Sequence, residues 1–409
     1  MSQNSESAIA HLSKEQLDNL IAEYYAGKPI KALLSKYGVQ CCASYLYKAF
    51  PPVIREDLPC PYCKEPMHQK RPSRASFGTS YFRIEHYCPA CGHRDKPRCR
   101  CRNCTDAFEL NKWRGLETKR KQISVFCRHT QLNRRGHVSA EELSLLEAVA
   151  LLTLTRTCTF LDELDSQGNV VLGTLTKATL PMAPRHEFVL KLIRQLMDSK
   201  LISVSDSSSV EAFEFQDDEL AAYFYFQVNW ALSVDEPLAF LEQIEKLAAD
   251  SERWPEIWHQ DAIQLWQEIA LHECKEYFAH AAADRGLPPA GTTSTETMLK
   301  NLLNYFSVSQ CYRIIYMGAQ QAADFLVRKQ CTKIHAANYM IGACQRWADK
   351  ARAEKWEVGH FRRQFDLPRS VLSHVLFDVF LGIGERGFTE LPSSQLTDDQ
   401  TISEPQESK

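Results

Sequence analysis

The chain has 409 residues, of which 44% are hydrophobic and 24% charged, and its formal net charge is −3. This length suits two to four domains, and the composition is that of a globular protein with enough apolar residues to build a core. No run of about 18 uninterrupted apolar residues occurs, so a membrane span is not expected. The polar start of the chain lacks the basic and apolar regions of a secretory signal, so a cytoplasmic protein is expected.

Charge is divided unevenly along the chain. Residues 1–137 contain 24 Lys/Arg and 12 Asp/Glu, whereas the remainder contains 24 and 39. The net charge of +12 in the first part suits contact with a phosphate backbone, and the net charge of −15 in the second does not. The sequence therefore predicts a basic nucleic-acid-binding part and an acidic body that engages a protein partner or a second copy of the chain.

Residues 1–55 have the pattern of three helices. Ser13 and Gln16 form a capping-box pair ahead of apolar residues at helical spacing. A second helix is expected from Pro29 to Tyr37, and a third from about residue 43 to residue 50. A helix, a glycine, a short helix, a tight turn and another helix are typical of a helix-turn-helix.

The segment LSKEQLDNLIAEYYAGKPIKALLSKYGVQCCASYLYKAF resembles the small trihelical domains of resolvases and transposases. The resemblance covers only about 40 residues, and no recombinase or transposase active site accompanies it. It implies that the third helix enters the major groove of DNA. The residues then placed toward DNA are Gln40, Ser44, Tyr45, Tyr47 and Lys48. The alternative is a three-helix packing unit without a nucleic-acid ligand.

Two C-x2-C pairs follow, Cys60 with Cys63 and Cys88 with Cys91, separated by 24 residues. In a reducing cytosol such pairs are better interpreted as metal ligands than as disulfides. Each pair turns two thiolates toward one ion, and four thiolates with no open position form a structural zinc site. The alternating segment 81–87 between the pairs is expected to be a strand. The sequence therefore predicts a zinc ribbon.

Three more cysteines, Cys99, Cys101 and Cys104, indicate a second zinc site that needs a fourth ligand. His93, Cys127 and His129 are the nearby candidates, and the predicted set takes Cys127. The alternative is a group of free or redox-labile thiols on a basic loop.

Basic and aromatic residues are interleaved with these cysteines. Basic side chains neutralise phosphate, and aromatic faces stack on unpaired bases. The aromatic residues can equally pack the ribbon, which is favoured for Tyr81 and Tyr87. The basic residues predicted to contact nucleic acid are Arg71, Arg74, Arg98, Arg100 and Arg102, and the interleaved aromatic residues are Tyr62, Phe77, Tyr81, Phe82 and Tyr87.

After residue 137 the character changes. Ser139 and Glu142 form a capping-box pair ahead of an apolar segment that reads as a buried helix. A later helix, strand, polar turn and strand suggest a winged-helix-like domain over 138–216. Its hairpin carries acidic residues, which favours a structural or protein-binding role over DNA binding. Residues 217–390 are expected to form a helical domain, and 391–409 a disordered tail.

One stretch of the helical domain supports an enzyme alternative. His272, Glu276 and His280 are spaced one helical turn apart and can share a face. They would be the catalytic residues of a nuclease or another enzyme, although surface or core-edge histidines are the commoner reading of such a pattern. No phosphate-binding glycine loop, nucleophile elbow or HExxH motif occurs.

Together these patterns predict a mainly α, multidomain protein. Its parts are a helix-turn-helix over 1–55, a zinc ribbon with a basic cysteine-rich region over 56–137, the winged-helix-like domain, the helical domain and the tail. The predicted function is zinc-stabilised binding of nucleic acid, with DNA expected. Such a protein can be a regulator, or the recognition subunit of a mobile-element or antiviral phage-defence system. A zinc-stabilised scaffold without nucleic acid is the third alternative.

Overall fold

A computed structural model describes residues 7–76, 85–131 and 136–392. Within these residues the chain is mainly helical, with thirteen α-helices and three small antiparallel sheets. No helix among them is both long enough and apolar enough to cross a membrane. The chain divides into two compact units, 1–118 and 119–409. From residue 393 onward, the predicted tail lies outside the described residues.

Unit 1 begins with helices α1 (Lys14–Tyr25) and α2 (Ile30–Tyr37). The predicted capping box forms, because the Ser13 hydroxyl accepts from the Gln16 amide while the Gln16 side chain accepts from the Ser13 amide. α2 ends at Gly38, whose φ of 60° is left-handed and suits glycine.

The third helical segment spans almost the predicted residues, but only its second half is α-helical. It consists of a 3-10 turn, Ala43–Tyr45, and a single α-helical turn, α3 (Leu46–Ala49). It ends at Phe50, which is extended with a ψ of 142°, because a residue before proline is pushed out of the helical region. Leu20, Leu33 and Leu46 join the three segments in one small core.

A three-stranded antiparallel sheet follows, formed by β1 (Val53–Pro59), β2 (Pro66–Gln69) and β3 (His86–Tyr87) in that order. The predicted strand over 81–87 is described only from residue 85, and its first four residues lie outside the described part. A 30-residue helix, α4 (Arg102–Gln131), comes next.

In unit 2 the apolar segment forms a buried helix, α5 (Leu145–Thr157), as predicted. Its cap differs from the prediction, since Ser144 and Glu147 make the capping box. Ser139 instead caps a 3-10 turn through the amide of Glu141. The helix is apolar almost all round because it lies inside the largest core of the chain.

The predicted winged-helix hairpin does not form. After α6 (His186–Asp198), the strand β5 (Ile202–Val204) pairs with β8 (Trp230–Leu232), which also pairs with β4 (Val171–Leu172). The next strand, β6 (Phe213–Gln216), pairs instead with β7 (Glu219–Tyr223).

The reason is the turn between β6 and β7. Asp217 and Asp218 have φ values of 50° and 62°. Two consecutive residues with positive φ make the two-residue turn that matches the twist of a hairpin. This local turn joins β6 to the strand that follows it, so β5 is left to pair with β8.

The rest of unit 2 is helical and is arranged around two apolar cores. One core contains residues from Ile123 to Ile383 and the other contains residues from Ala270 to Phe388. The first core mixes residues of the segments 138–216 and 217–390, whose separation into two domains stays a prediction. The helices are α7 (Pro237–Ala248), α8 (Glu256–Ala283), α9 (Thr292–Leu303), α10 (Val308–Lys329), α11 (Lys333–Ala353), α12 (Val371–His374, continued by a π-helical turn to Phe380) and α13 (Arg386–Thr389).

Candidate metal centres

The first cysteine pair lies in the turn between β1 and β2. The amide of Cys60 donates to the Glu65 carbonyl (2.8 Å), and the amide of Lys64 donates to the Cys60 carbonyl (3.0 Å). Lys64 has a φ of 67°, in the left-handed region. The turn brings Cys60 and Cys63 to one end of the sheet.

The second pair repeats this arrangement residue for residue. The amide of Cys88 donates to the His93 carbonyl (2.7 Å), and the amide of Gly92 donates to the Cys88 carbonyl (3.0 Å). Gly92 has a φ of 70°, at the position that corresponds to Lys64. Glycine adopts this conformation without the steric cost of a Cβ atom. The two turns are therefore two copies of one metal-binding knuckle.

The four sulfur atoms converge. Cys60 Sγ lies 3.6 Å from Cys91 Sγ, and Cys63 Sγ lies 3.2 Å from Cys88 Sγ and 3.8 Å from Cys91 Sγ. Zinc–sulfur bonds in a tetrahedral site place sulfurs about 3.8 Å apart. Cys60 and Cys88 are buried. The group that the spacing predicted can therefore hold a metal ion and is compatible with zinc.

The protonation of these thiols also favours a cation. Burial raises the pKa of Cys60, but the amides of Cys63 and Tyr62 point at its sulfur and bring the pKa down to about 7. The amide of Glu65 lowers the pKa of Cys63, whereas the contact with Cys88 and burial raise it to about 12. Four adjacent thiols do not all ionise unless a cation offsets their mutual repulsion.

A second group lies directly after the second knuckle. His93 Nδ1 lies 3.2 Å from Cys104 Sγ and 3.7 Å from Cys101 Sγ. The amide of Arg94 donates to Cys99 Sγ at 3.2 Å. The donor atoms of His93, Cys99, Cys101 and Cys104 all lie within 4.8 Å of one another, so this group too can hold a metal ion.

The fourth member of this group is His93, not the predicted Cys127. Cys104 and Cys127 both lie on α4, and 23 positions along one helix correspond to about 35 Å, far beyond the reach of a shared ion. Cys127 is buried in the first core of unit 2, and burial raises the pKa of its thiol to about 12. His129 lies on the same distant turn and is exposed.

One feature of the sequence pointed to His93. His93 follows Cys91 by two residues, and its own carbonyl closes the second knuckle. A ligand at this position joins the two centres through one short backbone segment. Tyr62 joins them again, because its hydroxyl lies 3.3 Å from Cys104 Sγ and its ring packs edge-on against His93 at 5.1 Å.

The predicted arginines divide into two kinds. Arg71 donates to the Pro51 carbonyl (3.0 Å), and Arg74 donates to the Lys28 carbonyl (2.8 Å). The amide of Arg74 also donates to the Tyr24 hydroxyl (3.1 Å). These two side chains bind the trihelical segment to the part of the ribbon that follows β2, and they are half-buried.

Arg98, Arg100 and Arg102 are exposed. They alternate with Cys99 and Cys101, so the thiols turn inward to the ion position while the guanidinium groups remain in solvent. Arg102 has one nearby carboxylate, that of Asp106 at 3.8 Å. The second centre thus organises a cluster of arginines, which we call the arginine loop (Arg98–Arg102).

The residues implied by the helix-turn-helix resemblance lie on or just before the short third segment. Gln40, Ser44, Tyr45 and Lys48 are exposed, and Tyr47 is half-buried. The Lys48 ammonium lies over the Tyr45 ring, 4.2 Å from its centroid. The positions face solvent, but a 3-10 turn and four helical residues carry them instead of a full helix.

The three residues of the enzyme alternative do not share one cleft. His272 lies against Phe188 with ring centroids 4.5 Å apart, and burial and Lys275 lower the pKa of His272 to about 4. It lines a cleft of about 490 Å³, whereas His280 lines another cleft of about 420 Å³ and lies 3.4 Å from Asp284. Within the described residues, none of the three belongs to a metal-binding group.

Comparison with known proteins adds no family: the chain matches no protein-family model, no curated protein sequence and no solved structure.

Proposed function

We propose that the chain is a nucleic-acid-binding protein in which two zinc ions fold unit 1 and present the arginine loop to phosphate groups. The observation that carries the proposal is the alternation of Arg98, Arg100 and Arg102 with cysteines of one metal group. Guanidinium groups pair with phosphate through two parallel hydrogen bonds, and a fixed loop holds several of them at once.

Zinc is the proposed metal at both centres. The donor sets are four thiols at the first centre and three thiols with one imidazole at the second. These sets are the usual ones for tetrahedral structural zinc, and neither leaves a position open for catalysis. Binding of the ions supplies folding energy that so small a sheet cannot obtain from its own core.

DNA is the proposed nucleic acid. The exposed Ser44 and Lys48 of the third helical segment support it, although this segment is too short to fill a major groove alone. The helix-turn-helix assignment and a role as a regulator or as a recognition subunit of a mobile-element or phage-defence system belong to the same proposal and rest on architecture.

Unit 2 is proposed to contact a protein partner or a second copy of the chain. Residues 138–409 carry a net charge of −15, which repels phosphate. Side chains such as Phe365, which is 96% exposed, offer an apolar contact instead. Sedimentation of the full chain against its Phe365→Ser variant tests this part of the proposal, since loss of self-association supports a second copy.

Binding of the full-length protein to labelled DNA across a salt series tests the main proposal. Replacing Arg98 and Arg100 by glutamine should weaken binding and reduce the slope of log K against log salt by about 1.4–1.8, or 0.7–0.9 per lost phosphate contact. The matched control replaces Arg253 and Arg362, exposed arginines of unit 2, and should leave binding unchanged. Absence of binding to any nucleic acid at low salt would leave the scaffold alternative.

Metal content of the purified protein tests the ligand assignment. His93→Ala should lose one of two zinc ions and weaken DNA binding, because the arginine loop is no longer held. Cys127→Ala should keep both ions and bind DNA as the parent does. The opposite result, with metal lost from the Cys127 variant only, would return Cys127 to the ligand set.

A further inference from the structure

We infer that the ligand of the basic region is single-stranded nucleic acid, gripped by the arginine loop and by the first half of α4, where Phe108 and Trp113 stack on unpaired bases. This inference deepens the proposed function and rests on it. It concerns the form of the nucleic acid and two residues that the sequence patterns did not single out.

Positive charge is concentrated at this place. Residues 94–131, which comprise the loop after the second knuckle and all of α4, contain eleven Lys/Arg and four Asp/Glu. Residues 1–93, a much longer stretch, contain eleven Lys/Arg and eight Asp/Glu. The basic character of the first third of the chain therefore resides mainly in one loop and one helix.

The first half of α4 is also unusually exposed. Every residue from Phe108 to Leu116 is solvent-exposed, and this stretch includes two large aromatic side chains. Phe108 is 67% exposed and Trp113 is 59% exposed. Within the described part of the chain no element covers this stretch, so both rings are open to a ligand.

The cations of the site lie mainly in the arginine loop, at the start of the helix that carries both aromatic rings. Lys112 and Arg114 flank the indole in the chain. Between residues 106 and 117 the carboxylates Asp106, Glu109 and Glu117 outnumber Lys112 and Arg114, so the net positive charge of the site comes from the arginine loop. A nucleic acid supplies both phosphates for the cations and rings for the aromatic side chains.

A single strand fits better than a duplex. Base faces are accessible only where bases are unpaired, whereas a duplex presents base edges in its grooves. Phe108 and Trp113 are five positions apart, which is a rise of about 7.5 Å and a rotation of about 140° around the helix, so the two rings engage separate bases of a strand that wraps across α4.

The test uses the full-length zinc-loaded protein with a labelled oligothymidylate, a polyuridylate of the same length and a duplex of the same length. Trp113→Leu and Phe108→Leu keep apolar bulk and remove the ring. Each should weaken binding to the single strands by about 5- to 150-fold, with the slope of the salt dependence unchanged, since a stacked base contributes about 1–3 kcal/mol and no phosphate contact is lost. Phe224→Leu, at an exposed aromatic residue of unit 2 that has no assigned role, is the matched control and should bind as the parent does.

Three results separate the inference from the function on which it rests. Tighter binding of the duplex, or aromatic variants that bind single strands like the parent, overturns the inference and keeps nucleic-acid binding. A change of oligomeric state in the Trp113 variant, measured by sedimentation, overturns it in favour of a second copy covering α4. Absence of binding to all three ligands removes both the inference and the proposed function.

Discussion

The arginines that the sequence predicts to bind nucleic acid have two different structural roles, and only their contacts distinguish these roles. The side chains of Arg71 and Arg74 donate hydrogen bonds to backbone carbonyls, so their replacement should disturb the packing of unit 1. Arg98 and Arg100 face solvent, so their replacement should affect binding alone. Composition counts all four as equal contributors to a basic patch.

A half-buried carboxyl group of unit 2 should make stability depend on pH. Burial and the neighbouring Glu273 raise the pKa of Glu276 from 4.5 to about 7, against the opposing effect of Arg185 and Arg363. Between these two pKa values the folded chain holds a proton that the unfolded chain has released. The free energy of unfolding therefore falls as the pH rises through this window.

Glu276→Gln removes this dependence. The variant should be more stable than the parent above the folded pKa, and the difference should vanish below the unfolded pKa. Urea unfolding followed by tryptophan fluorescence measures it in unit 2, which holds six of the seven tryptophans. Glu357→Gln, at an exposed position, is the control. Equal stability of the parent and the Glu276 variant at all pH values would contradict the prediction.

At the scale of elements, two helices of unit 2 approach as closely as a glycine permits. α10 crosses α11 at Gly318, where an added Cβ atom would lie 2.2 Å from Cys344 Sγ and 3.2 Å from the Cys344 amide nitrogen. Both residues are buried. A spacing this small requires either a shift of the helices or an off-rotamer side chain.

Gly318→Ala should destabilise unit 2 by about 1–3 kcal/mol, the usual cost of overpacking a core. Cys344→Ala removes the sulfur in closest contact, so the double variant should recover part of the loss. A double-mutant cycle by urea unfolding measures the coupling. If the effects of the two single changes simply add, the clash between the new methyl group and the Cys344 sulfur is not the cause of the destabilisation.

The elements also show where local pattern is sufficient and where it is not. The capping box at Ser13 and the apolar helix α5 are determined by neighbours in sequence, and both occur as predicted. The partner of β5 is not determined by neighbours in sequence, because β8 lies 26 residues further along the chain. A strand of three residues says nothing about which edge it will join.

At the scale of the whole molecule, the two units have separate cores. The apolar residues of unit 1 form one cluster in the trihelical segment and a small one around Cys60, Met67 and Cys88. Unit 2 has two much larger clusters. We therefore expect the sheet of unit 1 to depend on bound metal and unit 2 to fold without it, because only unit 2 has a large set of buried apolar residues.

Removal of metal should unfold part of unit 1 and spare unit 2. A strong chelator should make residues 53–118 sensitive to protease, with tryptophan fluorescence of unit 2 almost unchanged and its urea midpoint retained. Limited proteolysis with mass spectrometry locates the new cleavage sites, and zinc added back should suppress them. Cleavage spread over both units after chelation would mean that metal supports the whole chain.

The sequence by itself determined the first metal group, the helical class and the basic first third, because each depends on residue type and short spacing. The tertiary structure decided that His93 completes the second group in place of Cys127. Ligands of one ion must lie within a few ångströms of one another, and two residues 23 positions apart on a helix are too distant for this. It also decided which arginines are free and which aromatic rings are uncovered, because exposure depends on what the rest of the chain packs against.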